Sequence, residues 1–412
     1  MRVDSGAMGT PIDAIADGAA WQALVRRIEA AGALLSAEGA PADAAGRAVG
    51  MRYLTRFLAA GLRVCLECDD PDHPVFGRMI DNAMSWGLDN PDCNYSWARI
   101  RGDAEYRIEG TRGSACHLEF QVNTGHMGDG HIPAFGGGDR AWRTVSFVSG
   151  DALRSDADGR FEIAVCADRR DGNWLALDPD ASHVLVRQYF HDWEHERPAV
   201  FSIERVGARY PKPALTPERF AAHLATLDAW LDAGLACWDK VSRLLLSLQP
   251  NTLLMFDVKN DVDRPGLHGQ AYGMGPFACA ADEAVLLEFT PPRCRMWGVA
   301  LNNVWWESLE FGQRQTSLNS HQALRDTDGV FRGVIAHTDP GVPNWIDTEG
   351  ATRGTLAVRF LLADAAPQPR TRTVKLRDLR DHLPADTPRV TPAERSAAIA
   401  RRNRALQRRY AY

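Results

Sequence analysis

One motif occurs twice in this chain, in the same order and at nearly the same spacing, and it constrains the fold more than any other feature. The first copy reads Asp158-Gly159-Arg160-Phe161, then Asn173-Trp174, then Val186-Arg187-Gln188-Tyr189. The second reads Asp328-Gly329-Val330-Phe331, then Asn344-Trp345, then Val358-Arg359-Phe360. From Phe to Asn is 12 residues in the first copy and 13 in the second, and from Asn to Arg is 14 and 15. Asp-Gly supplies a tight turn, because glycine accepts positive φ. The residues after it run out as a strand, Asn-Trp closes the far loop, and Val-Arg-x-aromatic returns as another strand. An aromatic-led strand precedes each copy, near Tyr106 and near Trp297. A duplicated unit of this size predicts an α+β protein made of mainly antiparallel β-sandwich or jelly-roll-like units.

Helices are predicted before, between and after the two units. Trp21, Leu24, Val25, Ile28, Ala31 and Leu35 recur at helical spacing, as do Met51, Leu54, Leu58, Leu62 and Cys65. The second of these helices carries Arg52, Arg56 and Arg63 on another face, either a solvated basic side or the anion-facing edge of a pocket. Thr216-Pro217 starts a helix over 217–247 with an apolar stripe from Phe220 to Leu245. Thr391 and Glu394 form a capping box, and the basic helix after it, with Arg401, Arg402, Arg404, Arg408 and Arg409, reads as solvated or subunit-contacting. The resulting division is 1–93 helical, 94–215 first β unit, 216–250 connecting helix, 251–365 second β unit and 366–412 tail and basic helix.

Residues present in both copies, the Asn-Trp and Val-Arg pairs, read as scaffold, whereas residues present in one copy are better site candidates. His337 stands where the first copy has Ala167, and Asp339 follows it by two, on the same side of a strand. A carboxylate beside a histidine can orient it as a general base. The opposing reading is a loop histidine, since Asp339-Pro340-Gly341 is itself turn chemistry. Trp305 and Trp306 would face opposite sides of a strand, one ring free to stack on a planar or apolar ligand. Asp89-Asn90-Pro91-Asp92 offers further carboxylates in what is also a plain turn. His191-Asp192-Trp193-Glu194-His195-Glu196 is rich in metal-ligand types but lacks the His-Glu-x-x-His register and reads as a charged turn, so no metal site is expected. Gly125 to Gly138, with His126 and His131, reads as a long loop or lid rather than a phosphate loop.

The formal charge of −6 disfavours a nucleic-acid partner. Eight scattered cysteines do not form a secreted disulfide pattern, and Cys65-x-x-Cys68 reads as packing. No run long enough for a membrane span occurs, Met1 to Pro11 lacks a signal-peptide pattern, and the expected location is cytoplasmic. No Gly-x-Ser-x-Gly elbow, dinucleotide fingerprint or phosphate-binding loop is found, which disfavours serine hydrolysis and nicotinamide chemistry.

Several stretches taken together carry a resemblance. They are Arg52-Tyr53-Leu54, Asp89-Asn90-Pro91-Asp92 with Tyr95, and Tyr106-Arg107-Ile108-Glu109-Gly110-Thr111-Arg112-Gly113. Further on stand Gly172-Asn173-Trp174-Leu175, Val186-Arg187-Gln188, and His337-Thr338-Asp339-Pro340 with Asn344-Trp345. Their order resembles long bacterial members of the domain-of-unknown-function family numbered 1214, over roughly residues 40 to 365. The resemblance implies a jelly-roll-like C-terminal part and a setting in bacteria that degrade steroids, terpenoids and aromatic compounds. It brings no settled catalytic residues. An aromatic is expected before the Arg at position 52, where this chain has Gly50-Met51.

The sequence thus predicts a cofactor-independent acid–base enzyme for a hydrophobic small molecule, in a chain that can form a homo-oligomer. His337 and Asp339 would be catalytic. Arg52, Tyr53, Asp92, Tyr95, Arg187, Tyr189, Trp305 and Trp306 would bind substrate. The competing class is a non-catalytic β-sandwich that binds a ligand or carbohydrate.

Overall fold

The computed structural model describes residues 10–133, 141–258 and 269–410. Three helices come first: α1 (Pro11–Ala16), α2 (Ala19–Ala31) and α3 (Ala44–Leu62). Asp43 caps α3 by accepting from the Gly46 amide at 2.9 Å. The face that α3 buries is Tyr53, Phe57, Ala60 and Gly61; the predicted stripe flanks it, with Met51 exposed.

The first unit holds β1 (Gly77–Ile80), β2 (Cys93–Arg99), β3 (Tyr106–Thr111), β4 (His117–Thr124) and β5 (Thr144–Ser149). It continues with β6 (Arg160–Cys166), β7 (Asn173–Ala176), β8 (Ala181–Tyr189) and β9 (Val200–Arg205). The connecting helix α4 (Pro217–Leu246) follows, where the cap and stripe placed it. The second unit holds β10 (Leu254–Phe256), β11 (Gln270–Ala278), β12 (Glu283–Phe289), β13 (Met296–Asn302) and β14 (Ser317–Asn319). It closes with β15 (Phe331–Ala336), β16 (Trp345–Asp347), β17 (Arg353–Leu361) and β18 (Arg370–Lys375), and α5 (Pro392–Tyr410) ends the chain. The first sandwich therefore recruits a strand from before residue 94, and the second takes one from beyond 365.

Among the described residues the strands form four sheets, and the two units have the same topology. One sheet of each runs β1-β2-β8-β4-β5 and β10-β11-β17-β13-β14; the other runs β7-β6-β3-β9 and β16-β15-β12-β18. Each unit is a sandwich. The alternating residues Leu118, Phe120, Val122, Val184 and Val186 meet Ile108, Ile163 and Val165 in the first, and Val299, Val358 and Phe360 meet Val285, Leu287 and Ile335 in the second.

The shared motif residues do equivalent work. Asn173 donates to the carbonyls of Arg154 and Glu162 and accepts from the Arg154 amide. Asn344 does the same with Leu324 and Arg332. Trp174 donates to the Cys166 carbonyl and Trp345 to that of Ala336. Gly159 and Gly329 take φ of 77° and 81° in the two tight turns. Two details of the sequence reading change. Asn-Trp opens β7 and β16, which run parallel to β6 and β15, and the Val-Arg strands β8 and β17 belong to the other sheet. Tyr106 and Trp297 are not equivalents, since β3 matches β12 and β4 matches β13.

The β8 and β17 sheets are the inner ones. Cys93 and Tyr189 pack with Met296 and Leu361, and Cys116 Sγ lies 3.4 Å from Met296 Sδ. Helices α3 and α4 close one side of this contact with an aromatic core of Tyr53, Phe57, Trp86, Trp230, Trp238, Trp305 and Trp306. Helix α5 closes another side with Leu406 and Tyr410 against Phe190, Trp193 and Phe311. Among the described residues no helix is long and apolar enough to cross a membrane.

Candidate functional site

In the first unit the inner face of the β8 sheet carries residues that its sandwich core does not use. Register places them in rows. Cys93, Tyr189 and His117 form one row, Tyr95, Arg187 and Glu119 the next, Trp97, Leu185 and Gln121 the third, and Arg99, His183 and Asn123 the fourth. On β4 the polar residues alternate with Leu118, Phe120 and Val122, so one strand serves an apolar core on one side and a polar layer on the other. Met296 and Leu361 of the second unit pack on the first row, His126 packs on Trp97 and His183 at the other end, and both sides of β4 are buried.

The polar layer is bonded along its length but not saturated. Arg187 donates to Gln121, which donates to Glu119 at 2.5 Å. His117 is 0% exposed and Glu119 1%. His117 Nε2 lies 3.7 Å from Glu119 Oε2, and neither ring nitrogen has a hydrogen-bond partner. Burial pushes the Tyr95 and Tyr189 phenols well up, so both are neutral donors at physiological pH. Even so, Tyr95, Arg187, Tyr272 and Met274 keep part of their surface accessible. A surface depression of about 570 Å³ lies at the His117 end, lined by Arg293, Arg295, Leu362 and Asp364 among others. Arg295 donates there to the carbonyl of Cys116, the neighbour of His117. A second depression, about 620 Å³, is on the outer face of the β3-β6-β9 sheet, away from these groups.

The equivalent layer of the second unit lacks the His–Glu pair. Matching the registers puts Met296 at the place of His117, Gly298 at that of Glu119, Ala300 at that of Gln121 and Leu361 at that of Tyr189. The Tyr-Arg pair survives as Tyr272 beside Arg359, with the guanidinium 5.0 Å from the ring centroid. Arg359 donates to the Leu88 carbonyl at 2.6 Å. The His–Glu–Gln set is therefore confined to the first copy, and the second copy faces it with Met296 and Leu361 beside the Tyr272–Arg359 pair.

Three predicted residues, Tyr95, Arg187 and Tyr189, come together in this layer, and the others lie elsewhere. His337 is held by the Cys279 carbonyl at 2.9 Å and the Thr348 hydroxyl at 2.8 Å. Asp339 does not orient it: its carboxylate takes Arg395 Nε at 2.9 Å and the Gly341 amide, which is the turn reading. Trp305 and Trp306 are not on a strand. They sit in a turn, Trp306 at φ 66°, and both rings are buried in the aromatic core, so neither faces a pocket. Tyr53 stacks on Trp305 at 6.2 Å, and its hydroxyl is buried without a partner. Arg52 is also packed under this turn, its Nε buried and unpaired. Beside it Arg56 binds the fully buried Glu307 at 2.6 Å. Burial pushes Glu307 up while Arg56 opposes it. Asp92 accepts from Trp193 at 2.8 Å and Asn319 at 2.7 Å, tying the two units together, and it stands against Gly298 of the second unit rather than in the rows of the first.

His117, Glu119 and Gln121 escaped the sequence reading. Their signal was period-two polarity on β4, which also describes a strand with one solvated side. Beyond the fourth row, Arg99 bridges Asp129 at 3.0 Å and Asp69 at 3.3 Å, and His126 Nε2 lies 3.4 Å from Asp129. Part of the glycine-rich run, 134–138, lies outside the described residues. Among the described residues no three His, Cys, Asp or Glu side chains are grouped to hold a metal ion.

A crystal structure of an uncharacterized protein from Burkholderia cenocepacia superposes with a TM-score of 0.81 at 30% identity, covering 89% of this chain and 99% of that one. The chain belongs to that protein's family. The shared fold extends over nearly all of the relative, so both sandwiches belong to the family's architecture. The VPA0106 protein from Vibrio parahaemolyticus is 11% identical with a TM-score of 0.42, covering 78% of this chain and 98% of that one. No family model matches the chain, and no curated protein does.

Proposed function

We propose that the space between the inner sheets is the active site of an acid–base enzyme acting on an apolar small molecule that carries an oxygen function. The observation that carries this reading is the His117–Glu119 pair: fully buried, with an unpartnered imidazole, and present in only one of two otherwise equivalent units. A buried polar group without a partner costs stability, and a group kept at that cost is characteristic of a working site. His117 would move the proton, Glu119 would orient it and balance its charge, and Arg187 with the two tyrosines would hold the oxygen. Trp97, Met274 and Leu361 would contact the apolar body, in keeping with the steroid, terpenoid or aromatic class that the resemblance to family 1214 suggests.

The test is a panel of such metabolites, screened by thermal shift and then followed for conversion by mass spectrometry. Conversion by the wild type should fall by about 100-fold or more in His117→Asn and Glu119→Gln, a usual range for a general base and its partner. Equal conversion by all three proteins would sink the assignment. The alternative, binding without chemistry, has an observation in its favour: Gln121 already occupies Arg187 and Glu119. It requires a ligand that binds wild type and both variants alike and is recovered unchanged.

A further inference from the structure

Within the proposed site, the hydrogen-bonding inventory is one-sided. Tyr95, Tyr189 and Arg187 converge from adjacent rows of one sheet face. Among the described residues Arg187 spends a single N–H on Gln121. The Tyr95 hydroxyl lies beside the Cys93 thiol, and both Tyr95 and Tyr189 stand near the guanidinium groups of Arg187 and Arg359. A neutral phenol can donate and accept, but a guanidinium can only donate. Three donors side by side in a largely buried layer fit an oxygen that carries negative charge better than a neutral one. Next to them stands an acceptor pair, His117 with Glu119, on the neighbouring strand. The depression at this end is lined by Arg293, Arg295 and Asp364, with Arg295 paired to Asp151.

Resting on the active-site reading above, we infer that the substrate is a carbonyl compound and that the site stabilises its enolate. In the step, His117 removes a proton from the carbon next to the carbonyl. The C–H electron pair becomes the new C=C bond, and the carbonyl π pair moves onto oxygen, where Tyr95, Tyr189 and Arg187 meet it. The proton on the imidazole then returns to the same carbon, giving exchange, or to a conjugated carbon, giving a shifted double bond. No electrons leave the substrate and no co-reactant is consumed. A carboxylate would satisfy the same donors, but it brings its charge with it and leaves the neighbouring base without a task.

Phenols mimic an enolate in shape and charge, and nitro-substituted naphthols report their ionisation by absorbance. Bound to the wild-type protein, a nitronaphthol should be ionised at a pH at least one unit below its midpoint in water. Its methyl ether should bind at least tenfold more weakly, and 2-naphthoate more weakly than the naphtholate. Tyr95→Phe and Arg187→Met should each shrink the displacement of the midpoint, while Glu119→Gln, which removes a competing negative charge, should enlarge it. The wild-type titration stands even if a variant does not fold. Binding of the naphthol in its neutral form, equal binding of its ether, or tighter binding of 2-naphthoate would overturn the enolate inference while leaving the site in place. If neither the naphthols nor any member of the metabolite panel binds, the site reading falls and the inference falls with it.

Discussion

Gly298 shows how closely the two copies are fitted to one another. A Cβ at this position would sit 2.7 Å from Asp92 Oδ2, inside any ordinary contact. The carboxylate that the first copy supplies from its own strand, as Glu119, is here replaced by one reaching in from the turn before β2. Gly298→Ala should therefore cost about 1–3 kcal/mol by overpacking. Gly298→Glu should cost more, because it adds a charge beside Asp92. Urea unfolding of both variants checks the order. Asp69 makes a second prediction at this scale. Burial is the largest influence on its carboxyl and pushes it up to about 7, with Arg99 opposing. The unfolded chain releases that proton near pH 4. Folding is thus favoured by this group most below about pH 4, the benefit declines as pH rises, and it is gone above about 7. Wild type should lose stability relative to Asp69→Asn between about pH 5 and pH 7.5, and parallel curves would show that Asp69 is not the source.

Helix α5 is where element-level reading succeeded and failed together. Its capping box forms as the sequence predicts, with the Thr391 amide donating to Glu394 at 2.8 Å and the Glu394 amide to the Thr391 hydroxyl at 3.3 Å. Its charge pattern misleads. Arg395, Arg402 and Arg409, seven residues apart, are buried, and the helix expected to be solvated or subunit-contacting is a clasp between the two units of its own chain. Arg395 meets Asp339 and lies 5.3 Å from the Trp345 ring centroid; Arg402 lies 4.2 Å from that of Trp193 and Arg409 4.7 Å from the same ring. Nothing local to the helix encodes this, because the aromatic rings and carbonyls that receive the arginines come from distant segments. Burial pushes Arg402 down to about 10, which leaves it charged at neutral pH. Its partners are the Phe311 carbonyl, the Ser317 hydroxyl and Gln322. Arg402→Ala should cost about 3–5 kcal/mol, the usual penalty for stranding such groups. By contrast the Asn-Trp pairs were legible as scaffold, since each copy corroborates the other. Asn344→Ala, which strips three short bonds from a buried loop, should cost about 2–4 kcal/mol, and more than Asn173→Ala, whose site is half-exposed.

At the scale of the whole molecule, duplication explains both what the sequence disclosed and what it concealed. The motifs that reveal the repeat lie mostly on the outer sheets and in the turns, where both copies need the same geometry. On the inner strands, β4 and β13, the copies differ: one carries His117, Glu119 and Gln121 where the other carries Met296, Gly298 and Ala300. Comparing copies by their shared motifs therefore led to His337, near an aligned strand, rather than to His117, on a strand with no matching motif. The burial of β4's polar side follows only from two sandwiches meeting face to face, a contact between segments far apart in the chain. The difference also supplies a decisive experiment, because the second copy shows which residues the same positions hold without the His–Glu pair. His117→Met installs the residue found at the equivalent position, Met296. If the pair is kept for function, replacing an unpartnered buried imidazole by a flexible apolar side chain should leave stability unchanged or raise it by about 1–3 kcal/mol. The same change should abolish conversion and weaken naphtholate binding little, since its donors remain. Thermal unfolding beside the titration separates the cases. A large loss of stability in His117→Met would show that the imidazole serves the contact between the units, and the acid–base reading would have to be abandoned.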